Sequence, residues 1–256
     1  MRPLKSSVRL KMKKREMNKI VTVGVPFILG VGAGWIVQGR HWDVFLTSYV
    51  PALATLLAAF YGAKYAFQFQ KDKGKEDTKR RNVVNGNTAI FNMMRMTSTL
   101  RNVQRQIIDP VRDRPARFLQ MQPTLHLIND DIKLNIETLY FLLETDDRNL
   151  LGEIVTEEAR YQSALGAINE RSRLHREEVQ PLLDRAGIVQ GGDYSLAQIE
   201  KALGNRLYIT VQQATEQSIN HVDNTVVSLK QVADKLRISL KKEFPNEKII
   251  GFEITL

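Results

Sequence analysis

IVTVGVPFILGVGAGWIVQGRHWDVFLTSYVPALATLLAAFYGAKYAF, residues 20–67, is the stretch on which the fold turns. Its first arm, Ile20 to Val37, contains no charged residue. At about 1.5 Å per residue, roughly 18 residues cover some 27 Å, the depth of a hydrocarbon core. The second arm, Val44 to Phe67, carries one charge, Lys64, in its last turn. There the alkyl stem can stay in the apolar layer while the ammonium reaches the headgroups. A short polar turn, Gln38 to Asp43, joins the arms, and Trp35, Trp42, Tyr49 and Tyr65 fall near the ends, where amphipathic rings favour the interface. The expected element is a transmembrane hairpin over 20–67.

Small residues recur on both arms at helical spacing. Lipid supplies no hydrophobic drive, so helices associate there through close backbone approach. Gly30 and Gly34 form a GxxxG pair on the first arm, and Ala58, Gly62 and Ala66 form a ridge on the second. These five residues are the expected packing contact. Pro26 and Pro51 lie near the expected helix starts, where proline is tolerated.

The charge of +9 is unevenly spread. Up to Arg81 there are 16 Lys and Arg against 5 Asp and Glu; beyond it, 21 against 23. The excess therefore flanks the apolar arms, which weighs against nucleic acid as a partner, since its basic footprint belongs on a folded domain. Residues 1–19 form a basic N-terminus suited to anionic headgroups, and 68–82 a charged juxtamembrane helix. The positive-inside bias places both flanks, hence both termini, in the cytoplasm. A cleaved signal peptide and a soluble protein with two core helices are the rival readings of the arms; no small-x-small cleavage site supports the first. The absence of cysteine excludes disulfides, thiolate metal sites and a thiol nucleophile.

Residues 83–244 carry helical periodicity. Val83, Gly86, Ile90, Met93, Thr97, Leu100, Gln104 and Ile107 mark one face, with Pro110 ending the helix. A second helix is expected through Leu125, Ile128, Ile132, Asn135, Leu139 and Leu142, and a third from Leu151 through Tyr161 and His175 to Leu182, kinked by Pro181 and stopped by Gly187. Ser195 and Gln198 form an S-x-x-Q capping box. The last helix has the cleanest seam: Thr215, then Ile219, Val222, Val226, Leu229, Ala233, Leu236 and Leu240, coiled-coil spacing that ends before Pro245. Residues 245–256 read as an extended tail. The expected class is all-α: the hairpin, then an elongated cytoplasmic antiparallel bundle or coiled coil of four helices. The second helix is shorter than the last, so self-association would cover the remainder.

No reaction is legible. The histidines belong to no HExxH pattern, and no G-x-x-x-x-G-K-[ST] loop is present. Gly191-Gly192-Asp193 reads as a turn. The acidic pairs, Glu157-Glu158 among them, read as solvated or N-terminal helix charges. Arg112, Arg114 and Arg117, on a proline-stiffened connector, are a candidate anion-contact loop against the simpler reading of a solvated linker that Asp113 partly neutralises. No cofactor, metal or catalytic residue is expected.

The run LLAAFYGAKYAFQFQKDKGKEDTKRRNVVNGNTAIFNMMRMTSTLRNVQRQIIDP resembles the start of a loosely related group of uncharacterised bacterial membrane-anchored helical proteins, in which an apolar helix becomes highly charged and enters a helical domain, here at Asn87 to Ile90. The resemblance implies a bacterial inner-membrane location and no activity. The layout is also similar to that of two-transmembrane effectors of phage defence. The expected function is a non-enzymatic scaffold or sensor, binding itself or a cytoplasmic protein; the alternative is a membrane-perturbing, pore-forming effector.

Overall fold

The structure is a computed structural model that describes Thr47 and residues 50–125, 127, 132–189 and 191–251. The first arm with Gly30 and Gly34, the basic N-terminus, the turn at 38–43 and residues 252–256 lie outside the described residues. Two compact units divide the chain, Met1–Gly74 and Lys75–Leu256. All regular structure among the described residues is helical.

Helix α1, Val50–Val103, is 54 residues long. After Pro51 it contains no proline, and its glycines weaken it by only about 1 kcal/mol each. In Met1–Gly74 it supplies the one helix among the described residues long and apolar enough to cross a membrane, and none of its apolar window is buried. Ala58, Gly62 and Ala66 are exposed, and a Cβ built on Gly62 meets nothing within 4 Å.

The Lys75–Leu256 unit starts where a buried stripe begins. Val83, Gly86, Ile90, Met93, Thr97 and Leu100 are buried, and the Thr97 hydroxyl is satisfied by donating to Met93 O at 2.8 Å. Beyond Val103 the expected face slips. A π-helical turn, Gln104–Ile108, adds a residue to the period, so Ile108 becomes buried while Gln104 and Ile107 are half-buried. A 3₁₀ turn, Asp109–Val111, and the short helix α2, Arg117–Gln120, follow.

Helix α3, Leu150–Leu174, runs through a second π turn, His175–Val179, into α4, Gln180–Arg185. Gly187, at φ +72°, closes a Schellman end in which Ile188 N donates to Leu183 O. Helix α5, Leu196–Leu203, opens on a complete Ser195/Gln198 capping box, and Gly204 at φ +76° separates it from α6, Asn205–Glu243. Helix α6 runs antiparallel to α3, as the pairs Glu153–Lys235, Glu157–Ser228 and Ala167–Ser218 require. It is also antiparallel to α1: Leu240 lies against Gly86, and Asp223 accepts from Gln104. Ile219, Val222, Val226, Leu229, Ala233, Leu236 and Leu240 are all buried in the main core with the α1 and α3 stripes.

The expected second helix over 125–142 does not form. Among its described residues the chain is irregular to Asn135 and then 3₁₀-helical over Ile136–Glu144. Its apolar residues alternate, Ile132 and Leu134 buried with Lys133 and Asn135 exposed, which is the period of an extended chain. Flanking helices bind its backbone. Asn169 takes both groups of Leu127, accepting from its N–H at 2.8 Å and donating to its carbonyl at 3.1 Å. Asn92 donates to Lys133 O, and Glu158 accepts from Leu134 N. These bonds replace the i→i−4 ladder, so three long helices and a laid-on segment stand where four helices were expected. Asn87 binds the tail alike, donating to Lys248 O and accepting from Ile250 N.

Candidate functional site

A smaller apolar cluster around Phe118, Val179, Leu183, Ile199 and Val211 packs α2, α4 and α5 against the start of α6. Both π turns end two residues before a proline: Ile108, in the main core, before Pro110, and Val179, in this cluster, before Pro181. Proline lacks the N–H that an α-turn needs and crowds the carbonyl four residues back, so the widened turn relieves both conflicts. Beside the second of these turns opens a cleft of about 770 Å³.

Several segments bound it. The 109–117 loop supplies Arg114, the second π turn supplies His175 and Arg176, and the loop after Gly187 supplies Gly191, Gly192 and Tyr194. That last loop is pinned by the Tyr194 hydroxyl, which accepts from Val189 N–H and donates to Gly187 O. The ring lies so close over Gly192 that an added Cβ would sit 2.4 Å from it.

The three arginines of the connector separate into two roles. Arg112 pairs with Asp223 at 2.6 Å and with Asp109 at 2.9 Å. Arg117 holds Glu216 through two bonds of 2.7 Å and donates to Arg112 O. Burial opposes ionisation of Asp223, but the hydrogen bonds from Arg112 and Gln104 outweigh it and keep the carboxyl below its ordinary range. These pairs fasten the loop to α6. Arg114 is exposed, lines the cleft, and has no ion-pair partner among the described residues.

Arg176 is the residue that sequence reasoning missed. It lines the same cleft, donates to Thr124 O, and has no carboxylate partner among the described residues. The adjacent Glu177 and Glu178 bond instead to Arg173. None of the described lining residues is acidic. Gln120, Gln122 and Gln180 bring amides to the wall, and Val111, Leu183 and Ile199 among others supply aliphatic surface.

Beneath the cleft lies a buried column. Arg171 is 0% exposed and has no carboxylate partner among the described residues. It donates to Phe118 O at 2.9 Å and, through Nε, to Thr215 Oγ1 at 3.4 Å, leaving Nη1 without a partner. Burial lowers its pKa to about 10, so it is charged at neutral pH. One turn on, His175 is 7% exposed, with Nε2 3.3 Å from Leu119 O and Nδ1 unpartnered. Burial first, and then the charge of Arg171, lowers the His175 pKa to about 4 and keeps the ring neutral.

Glu157 corrects another expectation. The Glu157-Glu158 pair reads as solvated, yet Glu157 is 2% exposed, accepting from the Ser228 hydroxyl at 2.5 Å and from Arg160 at 2.8 Å. Glu158 is half-buried and bonds to Leu134 N. Among the described residues no group of three or more His, Asp or Glu is placed to hold a metal ion. Comparison of the chain with protein families, with curated proteins and with solved structures found no match.

Proposed function

We propose that this chain is a bacterial inner-membrane protein, anchored by a hairpin over 20–67 with both termini in the cytoplasm, whose helical domain acts without catalysis as a scaffold or sensor. The observation that carries the reading is the start of α1. Leu53, Leu56, Leu57, Phe60, Tyr61 and Tyr65 are exposed around the helix, and no part of its apolar window is covered. Such a surface is stable only in lipid or against another apolar helix. Basic residues follow it at Lys71, Lys73, Lys75, Lys79, Arg80 and Arg81, on the side where the packed unit begins.

Topology is the test. The chain has no cysteine, so single cysteines at Ser7, Gln38 and the exposed Ser98 can each be probed with an impermeant thiol reagent in spheroplasts. Labelling at Gln38 alone before lysis is the expected outcome; labelling at Ser98 in intact spheroplasts overturns the hairpin. The effector alternative is tested at the small-residue ridge, where Gly62→Leu would block helix approach. A scaffold keeps its membrane potential on overexpression with or without the substitution. An effector depolarises the membrane, and Gly62→Leu abolishes the effect at matched abundance.

A further inference from the structure

We propose that the cleft between the 109–117 loop, the second π turn and the Gly187–Tyr194 loop is a binding site for a small organic phosphate monoester, held by Arg114 and Arg176. The inference goes beyond the anchor and stands without it. Charge sets the head group. Two guanidiniums without carboxylate partners line one cleft, and no described lining residue is acidic. Asp109 and Asp223 are committed to Arg112, Glu216 to Arg117, and Glu177 and Glu178 to Arg173, while Asp113, next to Arg114 in sequence, is exposed and does not line the cleft. A phosphate monoester carries close to two negative charges at neutral pH and presents oxygens to fork-shaped donors, whereas a carboxylate neutralises only one.

The walls set the body of the ligand. Val111, Leu119, Leu183, Ile188 and Ile199 offer aliphatic surface, and three glutamine amides offer donors and acceptors along it. Inorganic phosphate would use neither. A cleft of about 770 Å³ accommodates a ligand of nucleotide size, within the ordinary range for small-molecule sites. Buried Arg171, one turn before His175, adds positive potential but does not itself line the cleft. The second π turn lines this cleft, and such turns recur where helices are interrupted for binding.

The experiment is calorimetric titration of the full chain in an uncharged, phosphate-free detergent. The probes are adenosine monophosphate, short-chain phosphatidic acid, adenosine and inorganic phosphate. One of the two esters saturates at one site per chain and binds at least about tenfold more tightly than adenosine or phosphate. Which ester does so identifies a soluble nucleotide or a lipid headgroup as the source. Arg114→Glu weakens that ester by about a hundredfold and Arg176→Ala by about tenfold, while Arg95→Ala, on the exposed face of α1, changes nothing. Arg114 makes no side-chain bond to another described residue, so its replacement leaves the thermal midpoint in place and separates binding from folding. Absence of saturable binding by either ester overturns the proposal. So does equal affinity for inorganic phosphate or adenosine, or an affinity indifferent to Arg114→Glu.

Discussion

Two regions of this chain break the rule of apolar inside and polar outside, in opposite senses. In the first half of α1 the apolar side chains face outward: Leu56 is 63% exposed and Phe60 56%. In the Lys75–Leu256 unit ionisable groups lie inside, with Arg171, Glu157 and the neutral His175 all buried. The first exception has no internal compensation among the described residues, so its remedy must come from the surroundings. The second is compensated by hydrogen bonds within the fold: Ser228 and Arg160 on Glu157, and Phe118 O and Thr215 on Arg171. Environment accounts for the one region and internal chemistry for the other.

The sharpest way to break this comparison is to place one carboxylate in each region. Met93→Asp buries an unpaired charge in the α1 stripe, which costs several kcal/mol and exceeds what a marginal helical domain tolerates. Loss of the helical circular-dichroism signal in detergent is the expected outcome. Leu56→Asp puts the same group on a surface the fold leaves open, so the unfolding midpoint stays unchanged. In lipid it costs about 2.5–3.5 kcal/mol, and the chain becomes extractable from membranes by carbonate. A shifted midpoint for Leu56→Asp would show that this face packs on protein.

The buried column gives the next effect. The folded pKa of His175, about 4, lies below the 6.5 of a free imidazole, so the unfolded chain takes up its proton first as pH falls. Its contribution to stability is complete above about pH 6.5 and is lost progressively toward pH 4. The loss is on the order of 2–3 kcal/mol in all, most of it falling between pH 7 and pH 4.5. Urea midpoints measured across that interval should decline for the wild type and stay nearly level for His175→Gln. An equal decline in both would assign the acid sensitivity to the carboxylates.

What was legible in the sequence follows from the range of the interactions. The α6 seam and the stripe from Val83 to Leu100 depend on a three-four period, which is local and survives in the sequence. The capping box is equally local. The segment over 125–142 departs from the helical expectation because its backbone is bound by side chains 24 to 53 positions away, such as Glu158 on Leu134 and Asn85 on Thr138. Glu157 looked solvated because Ser228, its partner, is 71 positions distant. The arginine connector was noticed as a group. Only the distant Glu216 and Asp223, 99 and 111 positions on, separate the two residues that fasten it from the one that lines the cleft. Arg176 stands in an ordinary charged run, and nothing near it in sequence distinguishes it.

The smallest effect sharpens the comparison within a single helix, at two glycines. A Cβ on Gly74 meets nothing within 4 Å, whereas a Cβ on Gly86 would sit 2.5 Å from Leu240 Cδ1 and 3.2 Å from Leu240 Cγ. Leu240 is fully buried, so it has little room to yield. Gly86→Val therefore overpacks the α1–α6 contact and should lower stability by about 1–3 kcal/mol, read as a reduced urea midpoint. Gly74→Ala should instead strengthen the exposed helix by about 0.5–1 kcal/mol through lower backbone entropy in the unfolded chain. That gain belongs to a helical stretch outside the packed core, so it is read by hydrogen exchange of the amides around residue 74 and leaves the global midpoint in place. Opposite signs are expected because a Cβ at Gly86 runs into Leu240 whereas one at Gly74 meets nothing within 4 Å. A stabilising Gly86→Val would mean that α1 and α6 approach less closely than Leu240 requires.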